Sequence, residues 1–349
     1  MYYKTQEVMN TKTLLITGGM GFIGSNFIRY VLNLNQEFKI INADKLTYAG
    51  NPENLKSIDQ KYPEQYKFYK ADICDFESID NIIIKNNVNY LINFAAESHV
   101  DRSINNPSLF CDTNVSGTIN LLNAAKKNRI EKYLQISTDE VYGSLDFQES
   151  PFNETHQLLP NSPYSASKAS ADLLVRSYFK TFNLPINITR CSNNYGPYQF
   201  PEKLIPLIIN NALKDKELPI YGKGINIRDW IYVNDHSIAI LKVLLEGKIG
   251  EIYNIGGDSE INNVKLVKKL LRILDKPESL ITFVKDRPGH DLRYAINHEK
   301  ITKELNWNPT VNLEDGLKTT VKWYLENEDW LNSVISKEYL TYYEKQYNR

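Results

Sequence analysis

Only three cysteines occur in the 349 residues, Cys74, Cys111 and Cys191, far apart and with no Cys-x-x-Cys among them. That argues against a disulfide framework and a thiolate zinc site and fits a reducing compartment, so a cytoplasmic protein is expected. The five histidines show no metal-ligand spacing, and no metal is expected. A net charge of −1 leaves no overall basic field to draw in nucleic acid, so an anionic ligand would need a local cluster of cations. No apolar run approaches the ~18 residues of a membrane span, and the opening MYYKTQEVMNTK lacks the apolar middle of a signal peptide. Residues 1–11 read as a loosely ordered N-terminal extension. Neither a membrane nor nucleic acid is expected as a partner, and no internal repeat or low-complexity tract is present.

What remains is an ordinary soluble composition, 42% hydrophobic and 24% charged, over a length that suits two domains or one with an added lobe. Residues 13–17, TLLIT, form a continuously apolar stretch of the kind seen in buried parallel strands. GGMGFIG follows and leads into a helical pattern over 22–34, with Gly18, Gly21 and Gly24 spaced for a tight turn, a close approach to a pyrophosphate and close helix packing. A second strand, 39–43, ends in Asp44, twenty residues after Gly24, where an acid accepts the hydrogen bonds of an adenosine ribose. An acid there repels a 2′-phosphate and favours NAD over NADP, although Lys45 stands beside it.

Strands at 67–69, 90–94, 132–137 and 184–189 alternate with helices at 76–87 and 107–127, which makes the fold class α/β: a Rossmann-type doubly wound parallel sheet. After Arg190 the pattern turns proline-rich and irregular, as a smaller α/β lobe would. The expected division is a dinucleotide-binding domain over 12–190, rejoined by about 229–256, and a substrate-binding lobe over most of 191–349. Helices are expected there at 264–274 and 315–326, and the tyrosines near the C-terminus are expected to pack rather than form a binding platform.

Two stretches carry chemistry. QISTDEVYG sets Thr138, Asp139 and Glu140 where an apolar strand runs out, offering an acid and a base at one point. Tyr164 and Lys168, in YSASK, share a helical face, so the ammonium is expected to lower the phenol pKa and favour a phenolate. The spacing alone is weak, since Tyr66 and Lys70 repeat it and are given no role. Lys203, Arg228, Arg287 and Arg293 lie in the second lobe with no target evident from the residues by themselves.

With these residues on the page, the sequence resembles the extended short-chain dehydrogenase/reductases, and within them the nucleotide-sugar 4,6-dehydratases. The likeness runs from about residue 11 to 308, through TGGMGFIGSNF, DKLTYAGN, FAAESHVDRSI, STDEVYG, YSASK, NNYGPYQFPEKLIP, RDWIYVNDH and RPGHDLRY. It implies that Phe22, Ile23, Asp44, Lys45, Leu46, Thr47, Asp72, Ile73, Ala95, Ala96, Thr113, Tyr164, Lys168 and Asn194 contact NAD. It implies further that Ser98, Thr138 and Asn193 hold a glucose, and that Lys203, Leu204, Pro219, Tyr221, Arg228, Asn263 and the stretch from Asp286 through Arg287 to His290 line the nucleotide and diphosphate site. The implied substrate is dTDP-glucose, with UDP-glucose the alternative, since thymine and uracil differ by one methyl. The implied reaction is oxidation at C4 with Tyr164 as base, removal of the C5 proton by Glu140, loss of the C6 hydroxyl with a proton from Asp139, and hydride return to C6. A rhamnose-type deoxysugar pathway is the usual destination of such a product. A homodimer packed through the helices near 107–127 and 163–182 is implied as well, though that pair could simply be buried under the sheet edge. A 4-epimerase shares the fold and the Tyr/Lys pair but needs no acid beside Glu140. A GDP-mannose dehydratase would carry another residue at 139, and a silent NAD-binding sensor would need none of the acid and base groups.

Overall fold

The computed structural model describes residues 11–34 and 38–335. The expected N-terminal extension falls almost wholly outside them, and the tyrosines near the C-terminus fall outside them altogether.

Seven strands pair in parallel in one sheet. Six are β1 (Lys12–Thr17), β2 (Phe38–Asp44), β3 (Tyr66–Lys70), β4 (Tyr90–Asn93), β5 (Lys132–Thr138) and β6 (Ile186–Cys191), and the seventh is Ile252–Ile255. The order across the sheet is Ile252–Ile255, β6, β5, β4, β1, β2, β3. The chain winds outward from β1 to β3, then returns to lay β4 on the other side of β1. Its switch point therefore falls between β1 and β4, and a crevice opens at the carboxyl ends of these strands.

Successive strand side chains point to opposite faces, and both faces are apolar. On one, Leu14, Ile16, Ile40, Ile92 and Leu134 pack against Phe27, Ile28 and Val31 of the helix Phe22–Asn33 and against Ile240 and Val243 of Val233–Glu246. On the other, Leu15, Ile41, Leu91, Tyr133 and Ile186 meet Ile79 and Ile83 of Phe76–Asn86, Leu121 and Ala125 of Gly117–Lys127, and Val175 of Pro163–Phe182. Each fully buried side chain of this size contributes about 1.5–3 kcal/mol, so sandwiching the sheet fixes the positions of its strand ends. A third core, with Ile205, Ile208, Leu266, Leu270, Leu317, Val321 and Trp330, holds together the helices Leu204–Leu213, Asn263–Leu274 and Leu313–Glu326 beyond the sheet.

The single helix expected over 107–127 is instead broken. Pro107–Phe110 runs into a π-helical turn, Cys111–Ser116, before Gly117–Lys127 resumes as α-helix. The wide turn aims Asn114 inward, where its amide accepts from Glu97 N at 2.9 Å and donates to Glu97 O at 3.0 Å and Ser167 Oγ at 2.8 Å. Glu97 N and O and both ends of the Asn114 amide are satisfied in this way, and hydrophobic periodicity carries no sign of it.

Candidate active site

A cavity of about 700 Å³ follows the switch point from the glycine turn after β1 to the end of β5. At its first end Gly18 has φ +72°, and a Cβ there would lie 2.5 Å from Ala95 N. A Cβ on Gly24 would lie 2.5 Å from Gly18 O, so neither position admits a side chain. The helix Phe22–Asn33 opens at Gly21 with no side-chain cap, which leaves first-turn amides facing the cavity. Asp44 braces this turn, its two oxygens accepting from Met20 N at 2.9 Å and Leu46 N at 2.8 Å. Burial raises its carboxyl above the ordinary range, and the two amide bonds act against that shift. Lys45 pairs with Asp72 at 2.6 Å across the next strand end.

At the far end, β5 passes directly into a tight 3₁₀ turn, Asp139–Tyr142, with Thr138 as its N-cap; Thr138 Oγ1 accepts from Glu140 N at 3.3 Å. Asp139 Oδ2 and Glu140 Oε2 are buried with no hydrogen-bond partner among the described residues. Unmade bonds on buried carboxyls are costly, and here they face the cavity. Burial raises both acids, but their surroundings differ. Asp139 goes well above the carboxyl range by burial and then by the charges of Glu140 and Asp229. Glu140 is raised by burial while Arg287, Lys203 and Arg228 pull it back down. Two adjacent carboxyls thus have unlike proton affinities, with Asp139 the better proton holder.

Below the turn, Arg190 Nε donates to Asp172 at 2.9 Å and its Nη1 to Tyr142 Oη at 2.9 Å, and Tyr142 donates on to Asn254 Oδ1 at 2.8 Å. This buried chain ties β6, the seventh strand and the helix Pro163–Phe182 to the acid-bearing turn.

Tyr164 stands in the first turn of Pro163–Phe182, a helix whose start is fixed by a reciprocal cap between Ser162 and Ser165. Its ring meets Phe110 edge-on at 6.3 Å. The expectation that Lys168 lowers its pKa is corrected by the structure. Burial, then Glu140, Cys191 and Asp139, push the phenol well up, and a hydrogen bond with Thr138 opposes them. Lys168 turns its ammonium to Ile136 O at 2.7 Å and is itself lowered by burial. Carboxylates rather than the lysine dominate the phenol's surroundings.

The cavity lining includes Gly18, Gly21, Phe22, Ile23, Gly24, Asp44, Lys45, Thr47, Asp72, Ile73, Ala95, Ala96, Thr113, Tyr164, Lys168 and Asn194, and also Ser98, Thr138, Asn193 and Lys203. Leu46 is not among the lining residues; it contributes its backbone N–H to Asp44. Leu204, Pro219, Tyr221, Arg228, Asn263, Asp286, Arg287 and His290 also lie outside that lining. They sit in the second lobe, where Arg228 and Arg287 still act on Glu140 through their charge. Arg228 donates to Asp291 O at 3.0 Å and covers the Tyr294 ring at 4.2 Å, while His290 meets Asp286 at 2.6 Å. Arg293 is not a ligand-facing cation, since Glu260 holds it at 2.6 and 2.9 Å.

Sequence reasoning assigned nothing to Tyr48, Glu97, Arg102 and Glu202, which also line the cavity. Arg102 lies over the Tyr48 ring at 3.7 Å and donates to Glu202 Oε2 at 3.0 Å. Glu97, Arg102 and Glu202 lie inside the quoted strings, but pairing a residue of 97–102 with one of 199–203 requires the tertiary fold.

A doubly wound sheet with a glycine turn after its first strand, an acid after its second and a Tyr-x-x-x-Lys helix beside its fifth defines the extended short-chain dehydrogenase/reductases. Comparison with known proteins sharpens the class. The GDP-mannose 4,6 dehydratase family matches residues 15–320. A dTDP-glucose 4,6-dehydratase of Escherichia coli K12 is 49% identical, over 96% of this chain and 98% of that protein. Among solved structures, a dTDP-glucose 4,6-dehydratase of Bacillus anthracis in complex with NAD is 49% identical with a TM-score of 0.86, covering 93% of this chain and 99% of its own. One from Streptomyces venezuelae with NAD and TYD bound is 46% identical with a TM-score of 0.89, covering 92% and 99%. This chain belongs to the GDP-mannose 4,6 dehydratase family, in its dTDP-glucose 4,6-dehydratase branch.

Proposed function

We propose that this chain is a hydro-lyase that uses NAD to convert dTDP-glucose to its 4-keto-6-deoxy sugar. The observation that carries the reading is the pair Asp139 and Glu140, each with a buried unpartnered oxygen, beside Tyr164 in the same cavity as the glycine turn. An epimerase has no use for the second acid.

The residues fit NAD. The uncapped helix start and the absent side chains at Gly18 and Gly24 leave a cradle that a pyrophosphate would fill; Asp44 and Lys45 would hold the ribose, Asp72 and Ile73 the adenine end, and Ala95, Ala96, Thr113, Lys168 and Asn194 the ring that exchanges hydride. Bound NAD supplies an acceptor and donor of hydride and, when oxidised, a positive charge near the phenol.

The chain's own groups handle protons. Tyr164 as phenolate, the form that a positive charge beside its ring would favour against the burial that holds the phenol up, takes the proton of the C4 hydroxyl as C4 loses hydride, with Thr138 hydrogen-bonded beside it. The C4 ketone acidifies the C5 hydrogen, which Glu140 removes as carboxylate; Arg287, Lys203 and Arg228 favour that form against the burial that raises its pKa. Asp139, the better proton holder, protonates the departing C6 hydroxyl, and water leaves. Hydride returns to C6, and Glu140 returns its proton to C5. The proton gained by Tyr164 equals the one spent by Asp139, and its passage from Tyr164 to Asp139 resets both groups, so the cycle closes without net proton uptake. Ser98 and Asn193 hold the sugar, and Lys203, Arg228 and Arg287 oppose the diphosphate charge.

Two lobes support this division: the seven-stranded sheet with its flanking helices for the cofactor, the third core for the nucleotide. Leu109, Leu173 and Phe182 are exposed on the helices flanking the cavity, which supports a homodimer packed through them.

The deciding experiment offers the purified protein dTDP-glucose and UDP-glucose in parallel, following mass and the alkali-absorbing keto sugar. A product one water lighter supports the dehydratase, and kcat/KM names the base. Conversion without mass change would replace it with an epimerase, and bound NAD without turnover would leave a binding protein.

A further inference from the structure

We infer that Asp101 is a positioning residue for nucleotide-diphosphate binding: it reaches from the cofactor lobe to hold Arg287 and Tyr221 of the other lobe. The inference rests on the dehydratase reading, deepening it at a residue outside the cavity lining.

Asp101 sits in the first turn of the helix Val100–Asn105 and is 4% exposed. Its Oδ2 accepts from Tyr221 Oη at 3.0 Å, and its Oδ1 lies 3.7 Å from Arg287 Nη1. The first contact is a hydrogen bond. The second is an ion pair too long for one, so the carboxylate fixes the guanidinium electrostatically without consuming its donors. Arg287 Nε, moreover, is buried with no hydrogen-bond partner among the described residues, as is Asp101 Oδ1. A buried donor left idle on a partly buried guanidinium is costly unless an anion arrives to take it, and a diphosphate is such an anion.

A second observation explains why an acid is needed. Arg287 repels both Lys203 and Arg228, whose charges fall within its reach. Three cations meant for one diphosphate would push apart in its absence. Asp101, whose charge acts on Lys203 as well as on Arg287, offsets that repulsion, and Tyr221 locks the carboxylate's orientation. Both lobes are thereby held in register before substrate arrives, which lowers the ordering cost of binding.

The test compares wild type, Asp101→Asn, Asp101→Glu and Tyr221→Phe by titration calorimetry with dTDP and by steady-state kinetics with dTDP-glucose. Asn keeps an acceptor for Tyr221 and loses only the charge. The expected result is about tenfold weaker dTDP binding and a KM raised by a similar factor, with kcat lowered about threefold at most, because a positioning role acts on binding more than on chemistry. Glu restores part of the affinity, and Tyr221→Phe shows a smaller loss of the same kind. Wild-type KM and dTDP affinity in Asp101→Asn would overturn the assignment. So would a loss of NAD content and kcat together that Glu fails to rescue, which would mark Asp101 as scaffolding only. If the wild type neither binds dTDP nor turns over dTDP-glucose, the dehydratase reading fails and this assignment fails with it.

Discussion

Replacing Asp139 by Asn probes the acid chemistry at the proton donor itself. Asn matches Asp in volume and retains a partner for the 3.3 Å contact with Thr138 Oγ1, so the turn Asp139–Tyr142 should persist. What disappears is a proton. Burial, then Glu140 and Asp229, hold the wild-type carboxyl well above its ordinary range, which favours the protonated, donating form. General-acid assistance is worth about 10²–10⁴ in rate. We expect kcat to fall by about a thousandfold, equivalent to ~4 kcal/mol of barrier. Oxidation at C4 should survive. On rapid mixing with dTDP-glucose, reduced-nicotinamide absorbance should rise and remain, with no dehydrated product by mass spectrometry.

The same substitution should affect stability in the opposite direction. Unfolded Asp gives up its proton near pH ~3.9, whereas the folded chain keeps it to the raised pKa. Between the two the folded state binds the extra proton, so its stability falls as pH rises, by up to about 1.4 kcal/mol per pH unit. Asn removes that slope. Urea denaturation across the range should find Asp139→Asn increasingly the more stable protein toward neutral pH, with the gap narrowing in acid. Dehydration within about tenfold of wild type, or loss of C4 oxidation equal to that of Tyr164→Phe, would refute the assignment of Asp139 as general acid.

Tyr164→Phe should block the first step itself, so that no reduced cofactor forms on mixing and kcat drops by about a thousandfold. Gly18→Ala forces a side chain onto a φ of +72° and against Ala95 N at 2.5 Å; we expect the purified protein to lose its NAD and about 2 kcal/mol or more of stability, read from cofactor content and urea titration. Asp172→Ala strands the buried Arg190 guanidinium, which should cost about 3–5 kcal/mol in the same titration.

Much of this was legible in the sequence because a parallel sheet buried on both faces writes its strands as short apolar runs. The stretch 229–256, expected to rejoin the dinucleotide-binding domain, contains the strand-like run Ile252–Ile255, which pairs in parallel with β6. The strand-end motifs were legible for a related reason: a strand end is where apolar residues stop and glycines or acids begin. Tyr66 and Lys70, which copy the catalytic spacing, lie on β3, where four residues span an extended chain rather than one helical turn. What sequence spacing could not convey was anything set by burial or by contact between distant segments. The π-helical turn at Cys111–Ser116, the pairing of Arg102 with Glu202, and the high phenol of Tyr164 all depend on neighbours far away in the chain.

Asp139, Glu140 and the glycine turn come from strand ends of the sheet, whereas Lys203, Arg228 and Arg287, the cations that act on Glu140, come from the other lobe. Mutations that reshape the nucleotide end can therefore accumulate without touching Asp139, Glu140 or Tyr164. A lineage starting from such a chain could change the base it reads while retaining its dehydration chemistry, and the contacts that cross between the lobes, those of Asp101 and the Arg102–Glu202 pair among them, are where the two histories would have to change together.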